Sequence, residues 1–349
     1  MGRGSGWEPS HVTAWRGKKL VGALPLYLKT HSYGEYIFDW GWADAASRIG
    51  IGYYPKLVAM IPVTPVTGRR FLFAPDEDPA AIVSRLLDGC FEVADDARAS
   101  SIHLLFLSPE ERSWVAQDGR LMDRLSFQFH WRNEGYEGFE DFVGSFRSSM
   151  RKKLRKERRV AAEANLRIDK LQADEITPGD WRTLERLYRA TCGRKGSYPY
   201  LTPQFFELAP NILDGSPLVV AARDEGRMVA ASLNFAKGKH LYGRYWGATQ
   251  RHDMLHFELC YYRLIEHAIE HRMARFEAGA QGTHKLRRGL MPVPIHSFHW
   301  IRHPVLAQAV ADFLPREASS VREQIRELEQ HGPFRRDAEG DVDSRQASG

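Results

Sequence analysis

Cysteine is scarce in this sequence. Cys90, Cys192 and Cys260 are the three among 349 residues, and none belongs to a CxxC or to a short Cys/His cluster. That excludes a disulfide framework and a zinc knuckle, and leaves reduced thiols as the expectation. Long apolar runs are missing too: no stretch approaches the ~18 apolar residues that a bilayer-spanning helix needs, and the opening MGRGSGWEPSHV lacks the apolar core of a signal peptide. A soluble, cytoplasmic protein is expected. No GxSxG elbow, Walker loop or dinucleotide-binding glycine fingerprint occurs, which removes three common enzyme chemistries. With 43% hydrophobic and 27% charged residues the chain is neither disordered nor collagen-like. Its length suits two domains of roughly 150 residues each.

Charge of the two signs is nearly balanced, 49 Lys and Arg against 44 Asp and Glu, for a net +5. The excess sits in one place. Residues 147–159, RSSMRKKLRKERR, hold eight basic residues and one Glu, so the rest of the chain is slightly acidic. Any polyanionic partner is expected there first.

Apolar runs broken by Asp224-Glu225-Gly226 and Lys237-Gly238 predict a three-strand meander over 218–248. An amphipathic helix follows at 255–271, then a strand, ARFEAGA. The first half repeats this order. Residues 11–28 resemble 219–236, with Leu20-Val21-Gly22-Ala23-Leu24-Pro25-Leu26 matching Met228-Val229-Ala230-Ala231-Ser232-Leu233-Asn234, and a helix at 79–98 leads into the strand SSIHLLFL. The chain therefore reads as internally duplicated, with the aromatic stretch HSYGEYIFDWGWADAASRIGIGYYPKL as an insertion in the first copy and a candidate for specificity. Residues 139–164 predict one long helix joining the halves. Phe139, Phe142, Phe146, Met150 and Leu154 form its apolar stripe, and Arg147, Arg151, Arg155 and Arg158 a basic stripe extending about 17 Å. A further long helix is expected at about 304–331. The domain expectation is 1–138, then 139–334 beginning with the basic helix, and a disordered tail over 335–349.

A meander, helix and strand, duplicated and joined by a basic helix, resembles the tandem GNAT arrangement of Fem-type peptidoglycan aminoacyltransferases. Three motifs carry the resemblance: RSSMRKKLRKERRVAAEANLRI, YGRYWGATQ before a helix, and RFEAGAQGTHKLRRGL, a strand ending in glycine followed by a lysine loop. More narrowly, YGEYIFDWGWADA, YYPKL, TPVTG and HFELCYY are similar to a bacterial FemAB-like family named for peptidoglycan biosynthesis or recognition. The resemblance implies an α/β fold of two GNAT-like mixed-sheet domains and an N-acyltransferase or aminoacyltransferase. Members of the family usually carry a few dozen more residues ahead of the first hairpin, so the first domain is expected to lack its opening helices.

The resemblance also implies site residues. Lys285 matches the Fem-type lysine near the reacting centre, with Arg287 and Arg288 beside it; a solvated basic loop is the alternative. Arg194 and Lys195 match the region that contacts the diphosphate of a cell-wall precursor, with Tyr198 beside them to pack on a sugar. Glu277, a charge inside an apolar strand, wants a partner such as Arg244, and Glu258 lies in the first turn of its helix; both are base candidates ranked below Lys285. Tyr245 and Trp246, with Trp40, Trp42 and Asp39 from the insertion, are candidate walls of a substrate cleft, core packing being the alternative. Arg147, Arg151, Arg155 and Arg158 are the candidate grip on the acyl carrier, a structural strut being the alternative. GNAT enzymes that bind CoA often place Gln or Arg, two spacers and Gly-x-Gly after the meander. Gly247 to Asp253 reads GATQRHD instead, so aminoacyl-tRNA fits better than acyl-CoA as donor, and no tightly bound cofactor is expected. The expected partners are a phosphate-bearing carrier and an amine, with a peptidoglycan precursor the candidate acceptor; a non-catalytic module recognising a peptidoglycan-like ligand or RNA is the alternative. His267 and His271 lack a third ligand in the pattern, and no metal is expected.

Overall fold

The computed structural model describes residues 5–279 and 282–335. In chain order come β1 (Glu8–Pro9), β2 (Val12–Arg16), β3 (Lys19–Leu24), β4 (Tyr27–Lys29), α1 (Trp40–Arg48), β5 (Lys56–Ala59), β6 (Leu72–Phe73), α2 (Pro79–Asp96), β7 (Ser101–Leu105) and α3 (Pro109–Val115). Next are β8 (Met122–Arg132), α4 (Phe139–Gly144), α5 (Ser148–Ala162), β9 (Arg167–Gln172), α6 (Pro178–Arg194), α7 (Pro203–Ile212), β10 (Pro217–Asp224), β11 (Arg227–Lys237) and β12 (His240–Ala248). The last segments are α8 (Leu255–Phe257), a π-helical turn (Glu258–Tyr262), α9 (Arg263–Glu270), β13 (Arg275–Glu277), a 3-10 helix (Thr283–Arg288), β14 (Met291–Ile301) and α10 (Pro304–Gln330). The expected tail falls on residues 336–349, outside the described residues, apart from Arg335.

Two compact units result, Met1–Gln128 with Val293–Arg326 and Phe129–Pro292 with Glu327–Gly349. This corrects the expected division at 138/139. β14 pairs antiparallel with β7, from Ser297↔Leu105 to Ile301↔Ser101, and Leu306, Val310 and Leu314 of α10 bury against Trp42 and Tyr53. Each such aliphatic side chain contributes about 1.5–3 kcal/mol. Local pattern predicts that a segment is a strand, not which sheet edge it will complete.

Within the first unit, β4 and β5 are antiparallel, and β5 and β7 are parallel with α2 as the crossover. β5 and β7 are buried at every position, as expected for strands covered on both faces. Asp78 caps α2 by accepting from the amides of Ala80 and Ala81, Pro79 starts the helix, and Ile82, Val83, Leu86, Leu87 and Cys90 face the core. Within the second unit, β10 to β12 form the predicted three-strand meander, β9 adds a fourth strand antiparallel to β10, and β12 runs parallel to β13. Glu225 (φ 45°) and Gly226 (φ 82°) make the tight β10–β11 turn, where both central residues need positive φ. α6, opened by the Thr177/Asp180 capping box, lies so close on β12 that a Cβ at Gly247 would sit 2.4 Å from the Leu187 carbonyl oxygen. Gly247→Ala is therefore expected to destabilise the fold by roughly 1–3 kcal/mol, read as a lower denaturant midpoint at unchanged slope.

The duplication is visible in the register. Tyr27↔Val58 and Val58↔His103 in the first unit repeat Phe235↔Tyr242 and Tyr242↔Glu277 in the second, at the offset that the sequence match of residues 11–28 with 219–236 requires. The matched strands differ at one point. β11 is continuous but slips register between Leu233 and Asn234, whereas Pro25, matching Leu233, ends β3. A proline cannot donate to the ladder, so β3 leaves for a small sheet with β2 and β6 while β4 stays with β5. Both units thus carry a mixed sheet with the same antiparallel-then-parallel succession of strands.

The helix expected over 139–164 is two. Ser145 to Arg147 break it, Arg147 being extended (φ −59°, ψ 147°), because Phe142 and Phe146 turn inward and Phe146 bridges to Phe334. α5 is moreover a member of the second unit, with Leu154, Glu157 and Ala161 buried there.

Candidate functional site

Where β11 and β12 slip, Leu233 faces Tyr245 and Asn234 faces Gly243, leaving Arg244 as the extra residue of a β-bulge. Bulges bend a strand and re-aim its side chains. β12 and β13 pair only from His240↔Arg275 to Tyr242↔Glu277; beyond that they part, and a cavity of about 90 Å³ opens between Trp246 and its β12 neighbours, Ala278, and Cys260 and Tyr261 of the following helix.

The floor of this cleft is polar. Ser232 donates to the Leu259 carbonyl at 3.0 Å and Asn234 donates to Ser232 Oγ at 3.0 Å. Leu259 lies in the π-helical turn, where the widened helix leaves a carbonyl for a side chain to fill. Sequence pattern missed Ser232 and Asn234, although two polar residues at alternate positions of an apolar strand share one face and are a usable signal. It also missed His256. That ring lies edge-to-face with Trp246 at 5.2 Å and Tyr261 at 5.7 Å, and burial, reinforced by His284, Lys195, Arg288 and Lys285, lowers its pKa to about 4. Tyr261 Oη and His284 Nε2 are 2.9 Å apart. At neutral pH the imidazole of His256 is uncharged.

Lys285 is buried, and its ammonium donates to the carbonyl of Gly279 at 2.7 Å, one residue past the cleft wall. Burial lowers its pKa from 10.5 to about 7, and no carboxylate pairs with it among the described residues. Gly279 turns the chain at φ 81°, a conformation other residues rarely adopt.

The other expected site residues divide. Arg194 holds the end of β12 by donating to the Ala248 carbonyl at 3.1 Å, Lys195 caps α6 near His256, and Tyr198 is exposed, 6.3 Å from the Tyr200 ring. Arg244 stacks on the Tyr245 ring at 5.0 Å, and Tyr245 in turn meets Tyr188 edge-to-face. Glu277 pairs with Arg275 of its own strand at 2.9 Å and lies 3.7 Å from His130 of β8. Glu258 is corrected as a base. Both its oxygens are held by Arg158, and one also by Arg263 at 2.8 Å. Arg288 is likewise withdrawn from the solvated loop; it pairs with Glu157 at 2.6 Å and stacks on Phe257, leaving Arg287 exposed.

The arginine row does not form a free grip. Arg158 binds Glu258 and Glu266, Arg155 pairs with Glu140, Arg151 donates to the Phe146 carbonyl at 2.6 Å, and Arg147 donates to the Gly332 carbonyl. The exposed cations of α5 are instead Lys152, Lys153, Lys156 and Arg159, along with Arg155. A helical wheel identifies a basic face but not which cations find carbonyls and carboxylates after folding.

In the insertion of the first unit, Asp39 and Trp42 are core residues. Asp39 accepts from Tyr53 Oη at 2.7 Å and from Lys56 at 2.5 Å, while Trp42 packs under Arg124 and against His299. Trp40 is exposed beside Tyr33. The place in this unit that matches the cleft is filled. Past β5, residues 60–71 run alongside β7: Gly68 donates to the Phe106 carbonyl and buried Arg70 to those of Leu105 and Val66, with the amides of Arg70 and Phe71 held by Glu111. In the second unit the parting of the parallel strands is open space.

His267, Glu270 and His271 place possible ligand atoms within 4.8 Å of one another, a third donor that the two-histidine pattern did not contain. Lys170 already pairs with Glu270, and His271 Nδ1 bonds the His267 carbonyl.

The family model of FemAB-like proteins, described by peptidoglycan biosynthesis/recognition, matches residues 1–336. Among solved structures the chain is similar to FemX, with 12% identity, 88% of this chain and 91% of that one covered, and a TM-score of 0.52. It is also similar to the C-terminal domain (DUF2156) of a putative lysylphosphatidylglycerol synthetase from Agrobacterium fabrum, at 11% identity, 88% coverage of each chain and a TM-score of 0.55. For L-PGS from Bacillus licheniformis the values are 9%, 88% and 90%, and 0.50. At these identities the likeness is one of fold. No curated protein matches the chain. No helix among the described residues is long and apolar enough to cross a membrane.

Proposed function

The chain belongs to the FemAB-like family of peptidoglycan biosynthesis/recognition, and from that premise we propose that it is an acyltransferase, moving an aminoacyl or acyl group from a phosphate-bearing carrier to the amine of a peptidoglycan precursor. The observation that carries this reading is Lys285. A buried ammonium with a carbonyl but no carboxylate as its partner destabilises the fold, and such strain is characteristic of sites built for a ligand's charge. It stands where two parallel strands part, beside a cavity with a polar floor.

In the reaction, the amine lone pair attacks the acyl carbonyl carbon and a tetrahedral oxyanion forms. The bond from acyl carbon to carrier oxygen (sulfur for a thioester) then breaks, the amine's proton leaves with the carrier, and an amide remains. Lys285 supplies positive charge to the oxyanion or to the departing atom. The sequence after β12, without a Gly-x-Gly run, favours aminoacyl-tRNA over acyl-CoA, and Lys152, Lys153, Lys156 and Arg159 offer the carrier phosphates an exposed basic face.

The test is transfer of labelled amino acid from charged tRNA, run beside transfer from acyl-CoA, to a panel of amines including peptidoglycan precursors. Product is expected from charged tRNA. Replacing Lys152, Lys153, Lys156 and Arg159 together by Gln should raise KM for charged tRNA at least about tenfold and flatten its salt dependence, with kcat kept. Binding of RNA or precursor without transfer from either donor would overturn the enzymatic reading.

A further inference from the structure

An open hollow lies at the start of α5, lined by Arg147, Ser148, Arg151 and Arg335. Three guanidiniums thus line one space. None of them has a carboxylate partner among the described residues, in a chain whose other arginines repeatedly find one. What holds them is backbone: Arg147 donates to the Gly332 carbonyl, and Arg151 and Arg335 donate to the same acceptor, the Phe146 carbonyl, at 2.6 and 3.4 Å. Two like charges brought to one oxygen repel by ~1 kcal/mol at 4 Å even in water, and by more at a protein surface. Arg147 Nε is buried and has no acceptor among the described residues. α5 adds to the field. Its 15 residues start here with no side-chain cap and no acid in the first turn, so the positive end of its dipole adds to the three cations.

From this arrangement we infer a second binding site, separate from the cleft, for a multiply charged phosphate group. Guanidinium forks match phosphate oxygens bidentately, and a helix N-terminus adds amide donors. Arg147 and Arg151 thereby keep a role in binding, as two of three donors around a hollow and not as members of a row along α5. The inference does not depend on the transfer reaction, and binding alone tests it.

Inorganic pyrophosphate and orthophosphate are titrated calorimetrically into the full chain at low salt. Saturable binding of at least one is expected, and its preference tells a diphosphate from a single phosphate. Arg335→Gln, at an exposed position, and Arg151→Gln should each weaken that binding at least about tenfold. Lys156→Gln and Lys285→Met should leave it within about twofold. Arg335→Gln retains the buried framework, so loss of binding there without a fall in melting temperature is the decisive result. No saturable binding, or an equal loss in Lys156→Gln, which would mark diffuse attraction to the basic face, overturns the proposal. So does an equal loss in Lys285→Met, which would place the anion in the cleft.

Discussion

Lys285→Met is expected to lower kcat/KM for acyl transfer by roughly 10²–10³-fold and at the same time to raise the melting temperature. The rate loss is that of removing one preorganised positive group from a developing oxyanion. The gain in stability follows from the direction of the lysine's pKa. Burial holds it at about 7, against 10.5 for an ordinary lysine, so the unfolded chain binds that proton more readily than the folded one. Below pH 7 the folded protein carries a buried ammonium at full cost. As pH rises from 7 towards 10.5 the folded lysine is neutral while the unfolded one is still charged, and the cost fades. The advantage of Lys285→Met should therefore be greatest at pH 6 and shrink above pH 7, at about 2–4 °C for each kcal/mol relieved. Activity gives a second check. The ratio of wild-type to variant kcat/KM should fall as pH rises through about 7, and because it is a ratio, ionisation of the acceptor amine cancels. A melting temperature lowered by the substitution, or a ratio that does not change with pH, would remove Lys285 from the role of charged electrophile.

Lys56→Met should have the largest effect on stability, about 3–5 kcal/mol. Lys56 is fully buried in the first unit, where its ammonium contacts Ser32 Oγ at 2.7 Å, Glu35 at 2.7 Å and Asp39 at 2.5 Å. Lys29, also fully buried, lies 3.5 Å from Glu35 and sits over the Trp7 ring. Two cations and two carboxylates balance. Removing Lys56 leaves two buried carboxylates facing one remaining cation. Burial works against the charge of Asp39, but Lys56, His103 and Ser32 together more than offset it and hold its pKa below the ordinary value, whereas burial raises that of Glu35. In the wild type the Asp39 contribution is full above the ordinary pKa and fades as acid protonates the folded group. In Lys56→Met the sign reverses, since protonation relieves the unpaired charge. The difference between wild type and variant in urea unfolding should accordingly narrow on acidification from pH 7 to pH 5, and Asp39→Asn added to Lys56→Met should recover part of the loss. A change below 1 kcal/mol would show that the cluster is hydrated.

Patterning made the meander, the helix that follows it and the duplication legible, because each is local: tight turns, periods of two and of 3.6, and one matched segment. Even the break in the first copy is written locally, as Pro25. What patterning could not contain is pairing at a distance. Glu277 met Arg275 and His130, Glu258 met Arg158, and Arg288 met Glu157. Each is a charge whose partner is set by which helix or strand arrives beside it. Lys285 was found because its loop resembles a known one, while its burial, which gives it chemical interest, depends on how the 3-10 helix packs. The π-helical turn behind Ser232 inserts a residue into an otherwise ordinary helical pattern, and a pattern of period 3.6 passes over it.

The return of residues 293–326 to the first unit bears on how the chain is made. The edge of β7 receives its neighbour β14 only after residues 129–292 of the second unit have been synthesised. At about 5–20 residues per second that interval is roughly 10–40 s. Throughout it, the peptide groups on that edge and the apolar side chains of Trp42 and Tyr53 await the segments that will cover them. The first unit thus waits for a segment that follows most of the second, and the second in turn takes its last contacts, such as that of Phe146 with Phe334, from residues that follow that segment.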